Sequence, residues 1–420
     1  MRTPLITLGL LGLASASRQI PLNPRPDGDS LTGANLPLKS PREVLLSLHR
    51  SLVEISSTTY NETAVGHFLA DYLSSRGYNT ELQYLSSDGF GAELQSPSPV
   101  SSDPADPKRR FNVLAWPGPS DPGTPRLIIT SHIDVVPPHI PYSISDDPPT
   151  SSTVIRGRGS VDAKGAVAAQ VLALQTLLDE GSVNPQDVML AFVVGEENPG
   201  DGIRELSESL RHKVPPEAVI FGEPTENKLA CGHKGALFCV IEARGAAGHS
   251  GYPWLGKSAN EVLIKALAEV LATDLGSSER FGNTTVNVGK MGGGVAMNVI
   301  PEFAAAEIAI RIAIGPEDGA NTIIRDRLRE ILDGVDPDAF SMKCTHGYGV
   351  VETECSVPGF ETIVVNYGTD VPNLDGSHVR YLYGPGSILV AHGPDEGLTV
   401  GSLEEAVEGY KQLILHALRK

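Results

Sequence analysis

Five short segments of the 420-residue chain carry side chains able to hold a metal ion: His132-Ile133-Asp134, Asp162 inside the glycine-rich turn at 157–165, Glu196-Glu197, Gly222-Glu223-Pro224, and His392 with Asp395-Glu396 behind it. Two imidazoles and several carboxylates form a borderline-to-hard donor set, suited to zinc and less often to cobalt or manganese. Five ligands with one shared carboxylate would give each of two ions a histidine and two carboxylates. Water between such ions is acidified and aimed at an electrophilic carbonyl. A further carboxylate must stay free of metal to take the proton.

Residues so far apart in sequence can meet only if the elements before them end side by side. Apolar runs at 127–130, 188–194, 218–221 and 387–391 read as buried strands of a parallel or mixed sheet, and 111–116 as a further strand. Helical patterns at 166–178 and 403–418 lie between or after them, which predicts an α/β fold. In open α/β sheets ligands gather beyond the carboxyl ends of the strands. The order changes further on: a strand at 237–243, a helix at 259–271, strands at 285–288 and 304–314, a helix at 321–332 and a strand at 340–350. This β-α-β-β-α-β order predicts a second domain inserted into the first. The expected division is a catalytic domain at 41–235 and 351–420, interrupted by the inserted domain at 236–350.

Taken together and in this order, the five motifs resemble the zinc amidohydrolases and exopeptidases that include acetylornithine deacetylase, succinyl-diaminopimelate desuccinylase, aminoacylase, carboxypeptidase S and glutamate carboxypeptidase. The likeness runs from about residue 41 to the C-terminus. It implies a mixed-sheet, zinc-exopeptidase-like catalytic domain with an inserted ferredoxin-like lid and dimerisation domain. It also implies two zinc ions per subunit: His132 and Glu223 on one, Glu197 and His392 on the other, Asp162 bridging. By the same resemblance Glu196 is the general base and acid. Asp134, two residues beyond His132, is the carboxylate that fixes the imidazole tautomer. Glu223 stands where part of the family has aspartate, glutamate being found in the deacetylase-like branch. In the inserted domain, His249 of Gly248-His249-Ser250 resembles the family's lid histidine, which helps stabilise the oxyanion, sometimes across a dimer. Asn298 and Arg311 match positions that hold the substrate carboxylate, a task for which the planar guanidinium fork is suited. A homodimer through the inserted domain is implied as well.

Formal charge is −18 and the sequence pI is about 5.0, which argues against nucleic acid or an anionic membrane surface as partner. Met1-Arg2, the apolar run at 4–13 and Ala14-Ser15-Ala16 have the pattern of a secretory signal peptide over residues 1–16, so export is expected. No other run is long enough to span a bilayer. Sequons at Asn61 and Asn283 would suit glycosylation on that route. Cys231, Cys239, Cys344 and Cys355 are too few for a disulfide scaffold and are open between buried thiols and one or two bridges, in any of three full pairings. Lys108-Arg109-Arg110 reads as solvated charge, and Gly292-Gly293-Gly294 as a hairpin turn with no phosphate-binding lysine after it. His139, His233 and His378 receive no role.

The expectation is a secreted dinuclear zinc hydrolase that cleaves an amide beside a free carboxylate. Secretion ranks a metallo-carboxypeptidase acting on peptides first and an N-acyl amino acid amidohydrolase second. A catalytically silent binding protein ranks third, because the glutamate base and all five ligands are intact.

Overall fold

Three strands, Leu127–His132, Val188–Val193 and Ala218–Gly222, are buried at every residue, as continuous apolar strands covered on both faces must be. The computed structural model describes residues 40–86, 106, 108–119, 123–198 and 200–419; the leader pattern at 1–16 lies outside them. These strands belong to a six-stranded sheet in the order Asn79–Tyr84, Phe111–Trp116, Val188–Val193, Leu127–His132, Ala218–Gly222, Val379–Tyr383. The last four are mutually parallel and the first two antiparallel, so the sheet is mixed. Side chains alternate between its faces. Leu127 and Ile129 pack under the helices Pro41–Glu54, Thr63–Ser75, Lys164–Asp179 and Val400–Arg419, and Ile128 packs in the opposite core with Ile203 and Leu206 of Asp201–Leu210. Register pairs His132 with Val193 and Ser131 with Gly222, so three strands finish level.

The sixth strand corrects the sequence reading. Residues 387–391 are a turn, with Leu389 86% and Val390 36% exposed, and the strand is Val379–Tyr383. An apolar triplet resembles a strand core, but here Gly384-Pro385-Gly386 before it and Gly393-Pro394 after it bend the chain, whereas Tyr381 and Tyr383 supply the buried aromatic positions. A second correction concerns Arg110. It is buried, with Nη2 2.7 Å from Glu62 and Nη1 2.9 Å from Asp201, while Lys108 alone of the basic triplet is exposed. Two carboxylates compensate its desolvation, a condition under which a buried charge survives.

Residues 235–344 build a separate core. Four antiparallel strands lie in the order Thr285–Gly293, Phe303–Ile312, Gly235–Arg244, Phe340–Cys344, which is the ferredoxin-like arrangement. Leu237, Cys239 and Ile241 alternate inward beside Ala306, Ile308 and Ile310, under the helices Ala259–Ala272 and Ala320–Val335. The strand expected to run to 350 leaves its ladder after Cys344, where Gly347 and Gly349 break it. Gly292 and Gly293 stay in the strand, and the chain reverses beyond them.

All four cysteines pair: Cys231 with Cys355, and Cys239 with Cys344 across adjacent strands. The bridges span 124 and 105 residues, long enough that each constrains the unfolded chain by about 2–5 kcal/mol. Replacing Cys239 and Cys344 by alanine is therefore expected to lower the melting temperature by several degrees, and an unchanged calorimetric transition would count against that contribution. Among the described residues no helix is long and apolar enough to cross a membrane.

Candidate metal centre and active site

The level strand ends deliver the polar residues to one edge. His132 closes its strand, Glu223 follows Gly222, and Glu196-Glu197 follow Val193 by way of Val194-Gly195. Gly195 has φ 78°, and a Cβ there would sit 2.5 Å from the Arg110 guanidinium, so this bend requires glycine. Asp162 stands just before the helix Lys164–Asp179, in a turn that passes through Gly157 and Gly159 at positive φ. His392 comes from the turn before the last helix, with φ 63°.

These side chains converge. His132 Nε2 lies 3.1 Å from Asp162 Oδ1 and 3.8 Å from Glu223 Oε1, while His392 Nε2 lies 3.3 Å from Asp162 Oδ2 and 3.0 Å from Glu197 Oε2. Two groups result, His132–Asp162–Glu223 and Asp162–Glu197–His392, with ligand atoms in each within 4.8 Å of one another and Asp162 common to both. His132, Asp162 and Glu223 are buried, whereas the His392 side chain is 52% exposed and marks the mouth. The electrostatics are those of an unneutralised cluster. Burial, then the neighbouring Glu223 carboxylate, pushes Glu196 well above the ordinary carboxylate range. Burial likewise raises Glu223, reinforced by Asp162, Asp370 and Glu197 against the pull of His132. Asp162 is held low despite burial because both imidazoles donate to it. His392 is pushed up to about 10 by Asp162 and Glu197. Three carboxylates, two imidazoles and one oxygen of Asp162 facing each triad fit a pair of divalent cations.

Asp134 is fully buried and organises the centre. The His132 Nδ1 atom meets the Asp134 carbonyl oxygen at 2.9 Å, with the Asp134 carboxylate 3.6 Å away. That carboxylate accepts from the backbone N–H groups of Gly195, Glu196 and Glu197 at 2.9, 3.1 and 3.3 Å and from Thr59 Oγ1 at 2.8 Å. It fixes the turn carrying both glutamates as well as flanking the imidazole.

The inserted-domain candidates form a second group. His249 is exposed and pairs with Val299 on a short two-stranded ribbon, where Ser250 N–H donates to the Asn298 carbonyl at 3.1 Å. Tyr252 and Trp254 stand exposed beside it. Arg311 is half-buried on Phe303–Ile312, has its guanidinium over the Phe238 ring, and makes no ion pair among the described residues. Tyr348 is half-buried, and its hydroxyl is pushed up chiefly by desolvation, with Arg311 opposing the rise and Glu196 and Asp370 adding to it. Asp370, raised to about 7 by burial, was not legible beforehand; a lone Gly-Thr-Asp in a loop carries no signal that it will face the cluster. His233 is a satisfied core histidine between the Lys234 carbonyl and Thr369.

A mixed sheet whose strand ends present paired carboxylate–imidazole triads, with a ferredoxin-like domain inserted, defines a metallohydrolase architecture. Residues 231–338 match the model of the peptidase dimerisation domain of M20 peptidases. An M20 peptidase domain-containing protein of Sordaria macrospora is 54% identical over 90% of this chain and 85% of its own, and a protein of Aspergillus oryzae named probable carboxypeptidase is 46% identical over 89% and 88%. Solved structures agree in fold: a tripeptidase of Staphylococcus aureus (TM-score 0.68, 20% identity, 90% of this chain and 99% of that one), an M20 metallo-carboxypeptidase of Sulfolobus solfataricus (0.65, 16%, 90% and 99%) and a dinuclear metal-binding M20 peptidase of Bacillus subtilis (0.59, 14%, 90% and 99%). The chain belongs to the M20 peptidase family and is a hydrolase.

Proposed function

We propose that this protein is an exported dinuclear zinc carboxypeptidase. The observation that carries the reading is the shared Asp162, which offers one oxygen to each of two His–carboxylate triads. Two divalent ions, zinc for this nitrogen-and-oxygen donor set, would be held by His132, Asp162 and Glu223 and by Asp162, Glu197 and His392, supplying an acidified water and Lewis-acid pull on the scissile carbonyl. Glu196 takes the proton of the attacking water and returns it to the leaving amine nitrogen as the C–N bond breaks. Its raised pKa suits a group that must both accept and donate. Asp134 keeps Glu196 in place through the backbone N–H groups it binds. His249 donates to the carbonyl oxygen as charge develops there. Arg311 and Asn298 hold the carboxylate of the substrate, which makes the bond next to a free C-terminus the one cut.

The carboxypeptidase relatives support peptide as substrate, and two disulfides with the leader pattern support an oxidising, exported setting. Exposed Asn61 and Asn283 are open to glycosylation, and the dimerisation-domain match supports a homodimer through the inserted domain.

The test is a product profile: a peptide mixture incubated with zinc-loaded protein and read by mass spectrometry should lose residues stepwise from the carboxyl end. Loss from the amino end would defeat the reading. Hydrolysis of N-acetyl amino acids with peptides left intact would move the protein to the amidohydrolase class. Arg311→Ala is expected to raise KM for free-acid peptides by about tenfold to a hundredfold, the worth of a charge-assisted hydrogen-bond pair. C-terminally amidated peptides should be equally poor for both proteins; an equal KM change on both would remove Arg311 from the clamp.

A further inference from the structure

We infer that Arg158 and Glu396 form a buried clasp that positions Asp162 and His392, and that the Asp162–Glu197–His392 triad holds its cation only while the clasp is closed. The inference rests on the reading that the two triads bind cations. Arg158 and Glu396 are 2% and 1% exposed, and Nη1 stands 2.6 Å from Oε2. Neither bonds to the side chain of a candidate ligand; each binds a ligand's backbone through its own side chain. Glu396 Oε1 accepts from the N–H groups of Gly159, Val161 and Asp162 at 2.9, 3.1 and 3.2 Å, gathering the turn around the shared carboxylate. The other half of the clasp works on the histidine. Arg158 Nη2 donates to the His392 carbonyl at 3.2 Å and Nη1 to the Gly393 carbonyl at 3.1 Å. These two carbonyls belong to the turn in which His392, a non-glycine residue, is held at φ 63°, a conformation that persists only when its surroundings over-determine it.

The asymmetry of the clasp gives the proposal its content. A buried ion pair is weak reason for stability, since apolar residues of the same volume often serve as well. What apolar residues could not do is accept three converging N–H groups on one side and donate to two carbonyls on the other. The two segments so joined lie more than 230 residues apart in sequence, and they carry two of the three members of the Asp162–Glu197–His392 triad but only one of the His132–Asp162–Glu223 triad. Opening the clasp should therefore cost one cation selectively. Arg158 and Glu396 are positioning residues by this account.

The experiment compares wild type, Glu396→Gln and Arg158→Lys after zinc loading and dialysis, by elemental analysis, zinc titration and steady-state kinetics. Glutamine keeps the shape of Glu396 and an acceptor oxygen but loses the charge facing Arg158. Lysine keeps the charge but cannot reach Glu396 and both carbonyls together. Wild type should carry two equivalents. Each variant should keep one tightly and bind the second about 10–100-fold more weakly, with kcat lowered about as much and KM nearly unchanged, the usual scale for groups behind a metal ligand. Added zinc should restore part of kcat in both variants. The retained first equivalent serves as the control for folding, and should one variant fail to fold, the other decides. A folded variant that holds both ions as tightly as wild type, or loses both equally, overturns the clasp. Wild type binding no zinc overturns the metal reading itself.

Discussion

Replacing Glu196 by alanine should leave both cations bound and lower kcat by about a thousandfold, the middle of the range for a positioned acid–base group. Glu196 lies outside both ligand triads, so elemental analysis should find the wild-type metal content. KM should change little, because the side chain has a partner only while a proton is in flight. The pH profile gives a second reading of the same role. Glu196 must be ionised to accept a proton, so kcat/KM rises with pH through its pKa. In the cation-free protein that pKa is raised by burial and then by Glu223. Cations that neutralise Glu223 bring it down, so the acidic limb of the loaded enzyme should sit below the apo value. Glu196→Gln should abolish that limb along with turnover. Substantial activity in either variant, with metal in place, would move the acid–base role to another residue.

That prediction could be framed from sequence because Glu196 and Glu197 follow a continuous apolar strand, and the same applies to His132 and Glu223. A strand buried on both faces has few alternatives, and the parallel order then places its carboxyl end beside its neighbours'. His392 was legible by motif although the strand assigned before it was misplaced. The three apolar residues at 388–390 mimic a strand core, and only their exposure reveals the turn. Periodicity cannot separate an apolar turn at a site mouth from a buried strand of the same length. Arg110 misled for a related reason: a basic triplet is usually solvated, and nothing local says that Glu62 and Asp201 will enclose its last member. Arg158 and Glu396 fall in the same class. Both lie inside quoted motifs, but their partnership spans more than 230 residues and exists only in three dimensions. Cysteine pairing was undecidable for the same cause, until two cysteines proved to lie opposite each other on adjacent strands.

Removing Asp162 should cost more than removing any other ligand, because it is the one residue common to both triads. Asp162→Ala is expected to lose both zinc ions and all measurable hydrolysis, and to gain no thermal stability from added zinc. In wild type the size of that gain should depend on pH in a definite direction. In the cation-free fold, His132 lies well above the ordinary imidazole value despite its burial, and His392 is raised to about 10. Their contribution to stability is complete below about pH 6.5, the unfolded value, and is lost as pH rises through the folded values. The raised carboxyls of Glu196 and Glu223 have the same sign, since the folded state keeps protons that the unfolded chain releases above about pH 4.5. Asp162, held low, has the opposite sign but titrates below this window. Between about pH 5.5 and 8.5 the contribution of these cluster groups to the cation-free fold therefore falls as pH rises. Cations compete with those same protons for the same atoms, so they bind more tightly over the same interval. Zinc at a thousand times its Kd adds about 4 kcal/mol per site, and that gain should widen toward alkaline pH. Melting curves with and without chelator at half-unit steps check this. A gap that stays flat or narrows with pH would mean that the raised groups are not the ones the cations displace, and Asp162→Ala should show no gap at any pH.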